Sequence, residues 1–348
     1  MSDLNKLLPA LHHAIRDLAD VPLSALQVMP TSGLAHDHVI VDGTDWLLRV
    51  PRQSQMRLDA ARNLRYQQTC FERMSSSGHT PKCHFAITPD ESVPMGALLV
   101  DRIYGNTLTA PDDMAFVAKA LAAIHQLPLP VHTDRAPLVD QADPMRETLE
   151  EVLTQAEYLQ TAELEADSLS QIQTELNAAN HDVSNLPVSP VALISFDAHP
   201  GNFIVDNNQH AWLVDLEKGR YGGAGFDLAH ASLYTSTTWD TASYSELTDA
   251  QIKAFYQTWL DAMPSNLAES WQPYLLPMRR LMWLWSITWC AKWRVESAGD
   301  LKQNKHHTEN TEDWSAENTD QNLIRHVRNR VDHYLLPDTI ERVRHDWL

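Results

Sequence analysis

The sequence predicts an α+β protein of two lobes, a small strand-rich one followed by a large helical one. Three observations predict it. The 348 residues amount to about two domains' worth of chain. Short apolar runs broken by turn residues prevail from Pro22 to about Leu99, and amphipathic helical spacing dominates afterwards. Hydrophobic residues make up 43% and charged residues 21%, with 11 Trp against only 11 Gly. That composition builds a packed core and excludes collagen-like, low-complexity and wholly disordered classes.

Residues 1–20 space their apolar side chains helically and interrupt them with Asp3, Lys6, His12, His13 and Arg16, so no export signal is expected. Val39-Ile40-Val41, an Asp42-Gly43 turn and Trp46 to Val50 predict a hairpin. Met56 to Met74 lacks Pro and Gly and reads as a helix, after which Pro81, Pro89 and Pro94 punctuate a return to extended chain through Ala97–Val100. The lobe boundary then falls near residue 103, giving a nucleotide-binding lobe over 1–102 and a helical lobe over 103–348. Met114, Val117, Leu121 and Ile124 put a helix over Asp112–Leu127, and helical spacing with a solvated acidic face runs from Pro144 to Asn180. Leu247-Thr248-x-x-Gln251-Ile252 has the form of a capping box with a hydrophobic staple. The apolar run Leu281–Ala291 is about half the length of a membrane span and predicts a buried helix instead. Lys302 to Gln321, including His306-His307, has little to bury and reads as a polar loop.

Lys and Arg number 27 against 46 Asp and Glu, a formal charge of −19. Nucleic acid and anionic membrane surfaces are repelled by such a field, whereas a small cation is attracted. Cys70, Cys83 and Cys290 are too few and too scattered for a disulfide framework or a zinc site, which fits a reducing, cytoplasmic compartment.

The chemistry concentrates in residues 193–217. Phe203–Val205 and Trp212–Val214 flank Asp206-Asn207-Asn208-Gln209 and should pair as a hairpin, with Asn supplying the left-handed turn. Its outer ends carry Asn202 and Asp215, and Asp197 lies on a loop stiffened by Pro200 and Gly201. Two carboxylates and a carboxamide converge in an all-oxygen arrangement of the kind that accepts Mg²⁺.

Asp-x-His-Pro-Gly-Asn at 197–202, followed by a strand, a turn and Val-Asp-Leu-Glu at 214–217, resembles the signature of the aminoglycoside phosphotransferase and choline kinase-like family. The five-residue interval from Asp197 to Asn202 also equals that of the protein-kinase catalytic loop. Leu47–Pro51 resembles the family's cation-bearing strand, Leu98–Gly105 its hinge, Leu121–His125 its first C-lobe helix and Gly225–Ala229 its Asp-Leu-Ala helix start. The resemblance spans about residues 25 to 235 and implies a bilobal, protein-kinase-like fold. It implies a kinase that uses ATP and Mg²⁺ to phosphorylate a hydroxyl of a small molecule. Asp197 would accept or orient the hydroxyl proton, and Asn202 and Asp215 would hold the metal, with Glu217 behind them. Arg49, Ser32, Gly33, Asp101 and Ile103 would meet the nucleotide, and Ser195, His199, Asp227 and Asp59 would support the site.

Three departures stand out. Ser195 replaces the His that usually opens the motif, the glycine-rich loop has Gly33 alone, and the helix after the strand offers Arg49 only Asp59 in place of a Glu. The first two favour a rival reading, a non-catalytic nucleotide-binding module, which intact Asp197, Asn202 and Asp215 disfavour. For the acceptor, Trp285, Trp289 and Trp293 share one helical face that can either bind a cation or join the core. Asp240, Glu246 and Asp249 are candidate partners for an ammonium group, as in an aminoglycoside-like or choline-like acceptor.

Overall fold

In the computed structural model, which describes residues 3–29, 36–300, 321–345 and 347–348, β2 (His36–Val41) and β3 (Trp46–Pro51) form the expected hairpin. Gly43 takes the left-handed φ of +81° that its turn requires. The hairpin is the middle of an antiparallel sheet, order β1-β2-β3-β5-β4, completed by β1 (Leu26–Val28), β4 (Cys83–Ile87) and β5 (Ala97–Asp101). Strand alternation sends Val39, Val41, Leu48 and Leu99 to one face, where helix α1 (Leu4–Ala14) covers them with Leu7 and Leu11. Ser32 and Gly33, expected at the nucleotide phosphates, lie outside the described residues.

Helix α2 (Ala60–Met74) starts later than expected because Asp59 is its N-cap, accepting the Arg62 N–H at 2.9 Å. Its inner face packs into the core of the helical lobe through Leu64, Tyr66, Phe71 and Met74. Arg73 fixes that contact by donating to the carbonyls of Asp134, Arg135 and Ala136 and to the Tyr221 hydroxyl.

The helical lobe begins with α3 (Met114–His125). The long acidic stretch divides into α4 (Pro144–Ala156) and α5 (Ala166–Asn185). Between the lobes lie β6 (Asn106–Thr107), β8 (Phe203–Val205) and β9 (Ala211–Leu213) in one sheet, and β7 (Ala192–Ile194) with β10 (Arg220–Gly222) in another. Helices α6 (Ala224–Ser232), α7 (Tyr234–Thr237), α8 (Asp249–Ala262) and α9 (Ser265–Trp271) follow. Thr248 and Gln251 close the capping box of α8. The apolar run at 281–291 is buried within α10 (Leu275–Asp300), and α11 (Gln321–Tyr334) and α12 (Pro337–His345) close the lobe. Gln321 thus opens a helix, while the rest of the expected polar loop, with His306-His307, lies outside the described residues. Among the described residues no helix is long and apolar enough to cross a membrane.

Candidate active site

The β8–β9 hairpin brings the ends of the motif together. Phe203 pairs with Leu213 and Val205 with Ala211, one position earlier on β9 than the sequence implies. The turn is organised by Asp206, whose carboxylate accepts from the N–H groups of Asn208 and His210 and from the indole of Trp212. Gln209, not Asn, takes the left-handed φ of +61°. Val214 N–H donates to the Asn202 carbonyl at 2.9 Å, continuing the ladder so that Asn202 and Asp215 emerge side by side.

The loop carrying Asp197 is held from beneath by Asp227, a fully buried carboxylate at the start of α6. It accepts the N–H of Ser195 at 2.8 Å and that of Phe196 at 2.7 Å. His125 of α3 donates to the same carboxylate through Nε2 at 3.1 Å, its tautomer fixed because Nδ1 accepts the indole N–H of Trp259 at 3.1 Å. Ser195 carries no imidazole, and the one that bears on this loop reaches Asp227 from α3. Ser195 Oγ itself accepts the Asp197 N–H at 3.1 Å. Phe196 sits at φ +56°, an unfavourable conformation for a bulky residue. Arg220 offsets this by stacking 3.7 Å over the Phe196 ring, and Trp285 and Phe226 pack edge-on against it. His199 Nδ1 accepts the Gly201 N–H at 2.8 Å, and Asn202 Nδ2 donates to the Asp197 carbonyl at 2.8 Å, a bond that does not use Asn202 Oδ1. Gly201 must be glycine: a Cβ there would lie 2.4 Å from His199 Cε1 and 2.8 Å from Asp240 Oδ2.

Charge is distributed unevenly across this cleft. Lys218 Nζ lies 2.9 Å from Asp197 Oδ2, and His230 Nδ1 lies 3.9 Å from Oδ1. Burial alone would raise the Asp197 pKa, but Lys218, then His230 and His199, outweigh it and hold the carboxyl below its usual range. Burial pushes the His230 imidazole down to about 4, so it is neutral at pH 7. Arg49 reaches over from β3, donating through Nη2 to Asp215 Oδ1 at 2.8 Å and through Nη1 to the Val214 carbonyl at 3.0 Å. Burial would raise the Asp215 pKa too; Arg49 and then His36 overcome it and drive it well down.

The pairing of Asp59 with Arg49 does not form. Asp59 caps α2 and faces Arg62 in solvent, whereas the helix side chain turned toward this centre is Gln67. Gln67 hydrogen-bonds His36 at 3.1 Å and Glu217 at 3.5 Å. Glu217 does not pair with Lys218 or Arg220 either. It is buried, its carboxyl pushed well up by burial and then by the charge of Asp215, and among the described residues no donor reaches its Oε1. Asp215, Glu217 and His36 offer ligand atoms within 4.8 Å of one another. A buried carboxylate with an unsatisfied oxygen beside a second carboxylate is what a hard divalent cation would neutralise, so the oxygen donors of Asp215 and Glu217 fit Mg²⁺, whereas the His36 imidazole is no ligand for it.

The model of the APH family, described as a phosphotransferase enzyme family, matches residues 30–268. The chain belongs to this phosphotransferase family. Its members transfer phosphoryl groups to hydroxyls. Solved structures agree on the protein-kinase-like fold. Choline kinase from Cryptosporidium parvum Iowa II superposes with a TM-score of 0.59 at 14% identity, covering 99% of this chain and 98% of its own. Plasmodium vivax ethanolamine kinase gives 0.58 at 13% identity, with 97% and 89% covered. Spectinomycin phosphotransferase, solved with ADP and spectinomycin, gives 0.54 at 11% identity, with 94% and 98% covered. No curated protein matches the chain in sequence.

Around the phosphotransferase cleft the remaining expected residues divide. Asp101 ends β5 with its carboxylate taken by the Lys82 N–H at 2.9 Å and His84 Nε2 at 2.5 Å, and Ile103 follows it half-buried at the crossing between lobes. Of the acidic acceptor candidates, Asp240 lies against Gly201, while Glu246 is paired with Arg342 at 2.9 Å and Asp249 with Lys253 at 3.0 Å. The tryptophan face is mostly structural. Trp293 is buried, Trp289 packs edge-on against Trp239, and Trp285 donates to Glu151 at 3.1 Å. Sequence reasoning missed Lys218, His230 and Arg220 as neighbours of the Asp197 loop. Lys218 stands three residues after Asp215, and that proximity in the chain was the available signal.

Proposed function

We propose that this phosphotransferase moves the γ-phosphoryl group of ATP to a hydroxyl of a small, amine-bearing acceptor. The observation that carries the reading is the convergence of Asp197, Asn202 and Asp215 on one cleft, with Arg49 facing them from the strand-rich lobe. Mg²⁺ held by Asn202 and Asp215, with Glu217 behind, would neutralise charge on the nucleotide phosphates. Arg49 then cradles the phosphates nearer the adenosine, and the hinge at Asp101 and Ile103 receives the base. Asp197, kept ionised by the Lys218 ammonium beside it, orients the acceptor hydroxyl and takes its proton. Phosphoryl transfer asks little covalent chemistry of a protein, so positioning and charge neutralisation by these groups are adequate to it. Asp240, beside Gly201 and the Asp197 loop, supplies the anionic anchor for an ammonium group.

The amine follows from the −19 charge and from Asp240 standing next to the reactive loop. Choline and ethanolamine, for which two of the structural neighbours are named, each combine a cationic nitrogen with a hydroxyl. The test is ADP release from Mg·ATP across a panel of amino-alcohols, aminoglycosides and neutral sugars, with Asp197→Ala as control. A member of the amine-bearing classes should stimulate release, and Asp197→Ala should reduce it by roughly 10²–10⁴-fold. Stimulation by neutral sugars alone would refute the acceptor class, and full turnover by Asp197→Ala would refute the base.

A further inference from the structure

The Asp197–Asn202 loop contains no Lys or Arg, so it brings no cation of its own to the position where a phosphoryl group meets the acceptor. One arrives from elsewhere in the chain. Lys218, on the turn after the metal motif, places Nζ 2.9 Å from Asp197 Oδ2, and its side chain is 24% exposed, at the wall of the cleft and not out in solvent. From the geometry we infer that Lys218 is a further catalytic residue, one that binds the γ-phosphoryl oxygens during transfer and opposes Arg49 across the nucleotide. This rests on the phosphotransfer reading proposed above.

The backbone beneath Lys218 is fixed. Gly219 N–H closes a turn onto the Leu216 carbonyl at 3.0 Å, and the Gly219 carbonyl accepts the Tyr66 hydroxyl at 2.7 Å. A Cβ on Gly219 would lie 2.6 Å from Met74 Cε, so the turn is wedged against α2, the same helix that Arg73 locks to the helical lobe. The ammonium is thus delivered from a rigid base on a flexible stem, which suits a group that must change partner by a few ångströms.

A purely structural ion pair would be a poor use of this residue, since a lysine bonded to the proton acceptor lowers its basicity. The conflict disappears when phosphate is present. The γ-phosphoryl group, carrying more negative charge than one carboxylate, draws the Lys218 donors to its oxygens and releases Asp197 Oδ2 toward the acceptor hydroxyl. The acceptor oxygen then forms its bond to the γ-phosphorus. The bond from that phosphorus to the β,γ-bridging oxygen breaks with its electron pair leaving on ADP, and the hydroxyl proton passes to Asp197 and on to water. Lys218 is aimed where charge shifts in the transition state, and a group so placed is felt there more than in the ground state.

The test needs no identified acceptor. Calorimetry compares the affinity for Mg·ADP with that for Mg·ADP plus fluoroaluminate, a mimic of the transferring phosphoryl group, in the parent, Lys218→Met and Lys218→Arg. Fluoroaluminate should tighten binding to the parent. Lys218→Met should keep Mg·ADP affinity within about twofold and lose about tenfold or more of that tightening, with Lys218→Arg intermediate. Full tightening in Lys218→Met overturns the inference, as does no tightening in the parent. Failure of the parent to bind Mg·ADP at all overturns the proposed function instead. A second measurement uses the unaltered chain, so it holds even where Lys218→Met fails to fold. Reductive methylation of Lys218, read by peptide mass spectrometry, should be suppressed by Mg·ADP-fluoroaluminate more than by Mg·ADP, and equal labelling overturns the assignment.

Discussion

Replacing Asp227 by Asn hardly alters the shape of the side chain but turns one of its two acceptor oxygens into a donor. Three donors converge on the buried carboxylate, Ser195 N–H and His125 Nε2–H on one oxygen and Phe196 N–H on the other. An amide places its oxygen best where it serves the first two, which turns its NH₂ toward the Phe196 N–H across what was a 2.7 Å bond. The opposite rotamer is worse, because it meets two donors, and His125 cannot change tautomer while Nδ1 accepts from Trp259. One charge-assisted bond is lost and one buried donor stranded, a cost of about 2–3 kcal/mol. Asp227→Ala strands all three donors and should cost about 4 kcal/mol or more. Equilibrium urea unfolding measures both as shifts in midpoint at unchanged slope. The repelled N–H belongs to Phe196, the left-handed residue immediately before Asp197, so turnover should fall with stability. Asp227→Asn within about 0.5 kcal/mol of the parent, or Asp227→Ala no worse than Asp227→Asn, would refute the bracing account.

Acid should destabilise the fold early. His36, held to about 3, and His38 and His230, each held to about 4, are kept neutral chiefly by burial, while the unfolded chain protonates them at about 6.5. Below that pH the unfolded state takes up more protons, so each histidine withdraws about 1 kcal/mol between pH 6.5 and 5.5, roughly 3 kcal/mol together. Glu217, whose raised pKa acts in the opposite direction, returns part of it. A urea midpoint that is constant or rising over that interval would contradict this. Asp59→Ala should cost about 1 kcal/mol through the lost cap and leave nucleotide affinity unchanged, whereas a weakened nucleotide site would restore Asp59 to the active centre. For a cationic acceptor, KM should climb more steeply than KM for Mg·ATP as ionic strength passes about 0.15 M, where the Debye length is about 8 Å. Acetylating the acceptor amine should remove the difference, and an acceptor KM that is flat with salt would point to a neutral substrate.

What the sequence discloses about this site follows the range of the interactions involved. The hairpin that presents Asn202 and Asp215 was legible because turn residues and strand alternation act over a few positions, and the capping box of α8 for the same reason. Its register slipped by one since the choice between Ala211–Leu213 and Trp212–Val214 depends on what each face packs against. Asp59 was misplaced for a subtler cause. Its carboxylate satisfies the first turn of α2 locally, and a helix begun at Ala60 turns Asn63 and Gln67 inward, a phase set by the core and not by charge. The bond from His125 to Asp227 was invisible, since the two lie 102 positions apart and only the tertiary fold joins them. The left-handed Phe196 and its stacked Arg220 are likewise products of packing, as no local propensity assigns a positive φ to Phe.

The central claim is that Asn202 and Asp215 hold the divalent cation that the nucleotide phosphates share, and ADP affinity in Mg²⁺ against that in EDTA tests it most directly. In the parent, Mg²⁺ should tighten ADP binding. Asp215→Asn removes an anionic ligand and leaves the 2.8 Å contact with Arg49 a hydrogen bond without the charge of the pair, so affinity in EDTA should hold or improve while about tenfold or more of the Mg²⁺-dependent gain disappears. An Asp215→Asn chain that binds ADP as tightly in Mg²⁺ as the parent does, with the same gain over EDTA, would contradict the account.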